Sequence, residues 1–180
     1  MNKIQRVSRV FRVLFQTLFF ILPLLLILFW MTASHPSWEW NGIKIQSIPS
    51  GIKMLHAFNL ETRLLGLSIS MIPTIIHMLI LYFLFKLFGL YEKGEIFSIV
   101  NVKYIKNIGY LMLLDQLVNP IYQLFISVAM TWQNPKGQGV ASITMDQTNI
   151  ATMIAAVLII LISWIMAEGC KLREEQALIV

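Results

Sequence analysis

Four long apolar stretches, at 13–31, 64–87, 108–130 and 150–167, leave this chain few folds to choose from. Each is close to the roughly 20 residues an α-helix needs to cross the hydrocarbon of a bilayer. Lipid offers backbone N–H and C=O groups no partner, so a spanning segment must be a helix or part of a closed barrel. The period-2 alternation of barrel strands is absent, which predicts an all-α membrane protein with four transmembrane helices. Composition agrees: 57% of the residues are hydrophobic and 13% charged, where soluble domains carry about 25% charge. The 180 residues read as one membrane domain.

Charge placement predicts the orientation. Lys3, Arg6, Arg9 and Arg12 precede the first span. Lys86, Lys93, Lys103 and Lys106 lie around the turn 88–107, and Lys171 and Arg173 lie in the tail 168–180. Ten of the fourteen basic residues thus fall on one side, which the positive-inside rule makes cytoplasmic. Both termini are then inside, and the loops 32–63 and 131–149 are outside. These clusters read as topology signals, with no motif for direct nucleic-acid binding. Basic residues before an apolar run also begin signal peptides. This run is longer than the usual 7–15 or so residues, however, and reads as an uncleaved anchor. Cys170 is the one cysteine, so no intrachain disulfide forms, and it reads as a small residue at a helix end.

The outer loops carry local structure. Asn41-Gly42 between Trp38-Glu39-Trp40 and Ile43-Lys44-Ile45 predicts a hairpin with a two-residue turn. Trp40 then faces Ile43 and Trp38 faces Ile45 on one side, with Glu39 and Lys44 on the other. That aromatic-aliphatic plate is a lid on the bundle or headgroup layer, or a partner platform. After Pro49, Ile52, Leu55 and Phe58 recur at helical spacing, predicting a short interfacial helix over 50–59 capped by Ser50. Gly66, Ser70 and Thr74 form a small-residue face on the second span. Gly94 suits a tight turn, and Ser98 an N-cap for the helix that follows. In the tail, Lys171 and Glu175 are spaced to pair. The apolar end, 177–180, is expected to tuck against the inner face.

The costliest residues sit in the third span. Asp115, Gln116, Asn119 and Gln123 interrupt an apolar run, and such groups must face protein or water. Gln116, Asn119 and Gln123 share a helical face, with Asp115 one turn before Asn119. From the basic side, Asp115 lies at a depth of about 10 Å and His77 at about 15 Å. His77, Asp115, Gln116, Asn119 and Gln123 are therefore expected to form an intramembrane polar network. Gln16 and Thr17 of the first span are expected to turn toward the same bundle.

Two stretches, Leu90–Leu111 and Ile162–Val180, resemble a bacterial inner-membrane family with four transmembrane helices, catalogued only as a domain of unknown function. The resemblance is carried by Lys93, Gly94, Glu95, Ile96 and Phe97, then Asn101, Val102, Ile108 and Gly109. In the tail it is carried by Glu168, Gly169, Leu172, Glu174 and Glu175. Where family tails commonly have a threonine just before the last residue, this chain has Ile179. The resemblance implies a fold and a compartment but no activity. Family members are often encoded beside small helix-turn-helix regulators, which implies a cytoplasmic partner of that kind.

The expected function is therefore non-enzymatic: regulation or partner binding through Lys93, Gly94, Glu95, Glu168, Lys171, Arg173, Glu174 and Glu175. The alternative is a transporter or ion-conducting component using the polar network, which would need a homo-oligomer, since no inverted repeat is present. No nucleophile–base set, metal-spaced cluster, phosphate loop or cofactor motif supports catalysis.

Overall fold

The computed structural model describes residues 3–32, 37–40, 43–46, 59–135, 137–144 and 147–178. The elements in order are α1 (Lys3–Thr32), β1 (Ser37–Trp40), β2 (Ile43–Gln46), α2 (Leu60–Glu92), α3 (Ile99–Thr131) and α4 (Gln147–Leu178). All four helices are long and apolar enough to cross a membrane, which makes this a multi-pass membrane protein. At 30 to 33 residues they measure about 45–50 Å, well beyond the hydrocarbon thickness. Once nucleated, a helix gains one hydrogen bond per added residue, so it need not stop where apolarity stops. Pro23, Pro73 and Pro120 all lie inside helices that continue past them. β1 and β2 pair antiparallel, with Trp38 opposite Ile45, Glu39 opposite Lys44 and Trp40 opposite Ile43. The Asn41–Gly42 turn, the strand side chains, the expected helix after Pro49 (Asn59 apart) and the side chains of 177–180 lie outside the described residues.

The chain divides into two compact units. One comprises Met1–Ile21, Ile76–Gln116 and Gln147–Val180. Its α1–α2 contact is aromatic: the Phe88 ring lies 5.2 Å from that of Phe11 and 5.5 Å from that of Phe15, with Phe19 and Phe85 meeting edge-on. Arg9 and Arg12 both reach Glu92, at 2.7 and 3.0 Å. On the other flank, Gly109 lets α3 approach α4, since a Cβ there would sit 2.6 Å from Ile160 Cγ1. Gln16 and Thr17 correct the expectation of a bundle-facing pair. Both are exposed, and the Thr17 hydroxyl bonds back to the Leu14 carbonyl at 2.8 Å. A hydroxyl that closes on its own helix can face lipid without an unmade bond.

The second unit comprises Leu22–Ile75 and Leu117–Asp146. Its core is Trp30, Ile126 and Met130, ringed by Leu26, Phe29, Leu67 and Tyr122. Trp30 is fully buried because Gly66 of α2 makes room for it, and a Cβ at 66 would land 2.1 Å from the indole. Ser70 and Thr74 continue that small face and are buried, Thr74 bonding back to the Ser70 carbonyl. Lipid tails are as apolar as leucine, so close packing rather than water exclusion holds such a contact together. The Arg63 guanidinium donates to the Met31 carbonyl, satisfying one of the carbonyls that a helix end leaves open.

Alanine ordinarily favours a helix interior over glycine by about 1 kcal/mol. Gly66→Ala should nonetheless destabilise the protein, by about 1–3 kcal/mol from overpacking, seen as a lower apparent Tm in detergent. In a Trp30→Ala background the same change should cost nothing further. Equal losses in both backgrounds would separate Gly66 from the indole.

Candidate functional site

The helical period of α3 decides which of its polar residues can share a partner. In the first unit His77 and Asp115 meet, with Nε2 3.9 Å from Oδ2. The Asp115 side chain is 15% exposed and that of His77 51%. Gln116 donates from Nε2 to Asp115 Oδ2 at 3.3 Å, a long bond between sequence neighbours. One carboxylate oxygen thus accepts from an amide donor and lies near an imidazole nitrogen that is beyond hydrogen-bond distance. Among the described residues, no three His, Cys, Asp or Glu side chains are placed to share a metal ion.

Asn119 and Gln123 belong to the second unit, where they do something different. Gln123 Nε2 donates to Asn119 Oδ1 and to the Thr144 carbonyl, each at 3.0 Å. Its Oε1 accepts from the Thr144 N–H at 2.6 Å and from the Thr144 hydroxyl at 2.8 Å. A primary amide has two donors and two lone pairs, so this glutamine is fully spent on protein.

Gln123 is the first rung of a ladder. Ser127 Oγ accepts from the Ser142 N–H at 3.1 Å, and Thr131 Oγ1 accepts from the Val140 N–H at 3.1 Å. The Thr131 proton lies between the carbonyls of Ser127, at 2.8 Å, and Val140, at 3.2 Å. Every fourth residue of α3 therefore holds every second residue of the returning segment 138–144. The periods match, because four helical residues rise about 6.0 Å and two extended residues about 6.6 Å. Such a strap lays non-helical backbone along the last turns of α3, whose side chains satisfy the N–H groups of its alternate residues.

The charged face is built around Asn101, whose side chain is 0% exposed. Its Nδ2 donates to the carbonyls of Glu95 and of Ile96, the latter at 2.8 Å, while Ser98 Oγ caps α3 by accepting from the Asn101 N–H at 3.3 Å. Gly94, at φ 88°, supplies the left-handed residue that the turn requires. Lys93, Gly94 and Glu95 are held exposed on this frame. Glu92 lies beyond the apolar stretch that ends at Leu87. The hydrogen bonds from Arg9, then Arg12, hold its carboxyl below the usual carboxylate range. Glu168, Lys171, Arg173, Glu174 and Glu175 are all exposed on the last turns of α4.

One pairing differs from expectation. Lys171 Nζ goes to Glu168 Oε2 at 3.3 Å and not to Glu175. Both glutamates share a face with Lys171, but a glutamate N-terminal to its lysine is the better oriented partner.

Sequence reasoning missed three groups: the buried Trp30, the Arg9–Arg12–Glu92 cluster and the Ser127–Thr131 rungs. A signal for the last existed, since Ser142 and Thr144 alternate at period 2 opposite a period-4 row of polar residues on α3. Trp38, Trp40, Ile43 and Ile45 are placed by backbone register alone.

Residues 28–180 match a family described as a protein of unknown function, DUF2975. No curated protein and no solved structure matches the chain.

Ser127→Ala and Thr131→Val should each leave one strap N–H unmade, at about 1–3 kcal/mol. Amide exchange should then accelerate at Ser142 and Val140 respectively. Gln123→Leu should release Thr144 and give the largest effect. Unchanged exchange rates in all three variants would contradict the ladder.

Proposed function

The chain belongs to the DUF2975 family, and we propose that it is a non-enzymatic protein of the bacterial inner membrane, with both termini cytoplasmic, that engages a protein partner through its cytoplasmic face. The bias of basic residues supports the orientation. The observation that carries the partner reading is the turn at 93–98. Its backbone is fixed by a fully buried asparagine while its charges stay in the open. Charges that only marked topology would need no such frame. The helical tail adds Glu168, Lys171, Arg173, Glu174 and Glu175 in the same compact unit. Family analogy makes a small transcriptional regulator the partner class, and the chain itself makes no direct nucleic-acid contact.

The test is charge reversal. Glu174→Lys with Glu175→Lys should reduce in-membrane crosslinking to the partner by about tenfold or more, corresponding to about 1.4 kcal/mol, with the apparent Tm unchanged. Equal recovery of the partner by wild type and variant would overturn the reading.

The 3.9 Å approach of His77 to Asp115 favours a second reading, in which an oligomer conducts protons or another cation past this pair. Proteoliposomes should then show flux that Asp115→Asn abolishes. No flux in the wild type would dispose of it.

A further inference from the structure

The ladder that fastens the strap to α3 uses only alternate residues. Val140, Ser142 and Thr144 turn their N–H groups to the helix. In an extended chain the residues between them turn theirs the other way. Among the described residues, the backbone N–H and C=O groups of Gly139, Ala141 and Ile143 have no hydrogen-bond partner, and all three residues are exposed. The strap belongs to no sheet among the described residues, yet it has one edge closed against α3 and one edge open. Natural edges are usually blunted by a charge, a proline or a bulge. The stretch Gln-Gly-Val-Ala-Ser-Ile-Thr (138–144) contains no charge and no proline.

A second feature lies beside this edge. A groove of ≈ 390 Å³ is lined by Gly139, Val140 and Ala141 of the strap, by Val128 and Trp132 of α3 and the residues just beyond it, and by Asn134. Trp132 is 81% exposed and takes no part in the buried core. Open backbone groups next to a groove with no charge among its described lining residues are the two requirements of strand-addition recognition: main-chain bonds give affinity, and a pocket selects side chains.

We infer that the open edge at Gly139, Ala141 and Ile143, with the groove at Val128 and Trp132, binds an extended, uncharged polypeptide segment of a partner protein. The segment adds as a β-strand and lays an apolar side chain in the groove. A second copy of this chain does not fit. Copies in one bilayer share orientation, so their straps run parallel with like residues opposed. A parallel ladder joins residue i to residues i − 1 and i + 1 of its neighbour, and in this strap those groups face α3, where all but the Ser142 carbonyl are bonded to it. This inference is independent of the proposed cytoplasmic face, because it uses only residues of the unit that contains the strap.

The probe is a blocked five-residue peptide of alternating valine and threonine, added to the full-length protein in lipid nanodiscs. Without peptide, the amides of Ala141 and Ile143 should exchange quickly and those of Val140, Ser142 and Thr144 slowly. Peptide should slow exchange at Ala141 and Ile143. Ala141→Pro removes an N–H that bonds to nothing, in a chain already extended, so it should leave the apparent Tm unchanged. It should weaken peptide binding by about tenfold, or 1.4 kcal/mol. The same peptide with every backbone nitrogen methylated should not bind, which keeps the test decisive if the proline variant misfolds. The inference is overturned by any of three results: slow exchange at Ala141 and Ile143 without peptide, equal binding of the methylated peptide, or no binding at millimolar peptide.

Discussion

Backbone polar groups with no water to receive them are the constraint on which the rest of this protein depends. A peptide group left unmade in hydrocarbon costs several kcal/mol, and each element answers that cost differently. The four helices satisfy it internally. Hydroxyls that fall on helix faces close on their own backbone, as Thr17, Thr74 and Ser163 do. Where the chain is not helical, side chains take over: Asn101 holds the carbonyls at the turn, and Gln123, Ser127 and Thr131 hold the strap. The polar residues of α3 are thus of two kinds. Asp115 and Gln116 meet a titratable neighbour, whereas Gln123 is consumed in holding backbone.

Packing obeys a second rule that follows from the first. With lipid as solvent, apolar area buried between helices gains little, so contacts depend on how closely backbones approach. Gly66 under the Trp30 indole and Gly109 against Ile160 mark two such approaches, one in each compact unit. Most of the Leu, Ile and Val side chains along α1 and α4 remain exposed instead. In water that surface would be a liability, and in a bilayer it is the lipid contact.

The two units also differ in the surfaces on which the proposed partner readings rest. The unit with the termini displays charges on a fixed turn and on the last turns of α4. The unit with the strap displays uncharged backbone beside an aromatic groove. Recognition by the first would be electrostatic and salt-sensitive, and by the second would rest on main-chain bonds and shape.

Helix number and type were legible in the sequence because the bilayer makes an apolar run of about 20 residues nearly unambiguous. The strand register, the Gly94 turn and the Ser98 cap were legible too, because each depends on neighbours a few residues away. Side-chain partners across the structure were not. Periodicity puts Gln123 on a face with Asn119 but cannot say that Thr144, from a loop, completes it. Nor can it say that Trp30, at the end of an apolar run, is core and not a headgroup anchor. Local residues determine which bonds the backbone of an element can make, and so the sequence alone determined the helices. Which side chain fills the groups left over depends on which chains are brought alongside, and that only the tertiary structure decided.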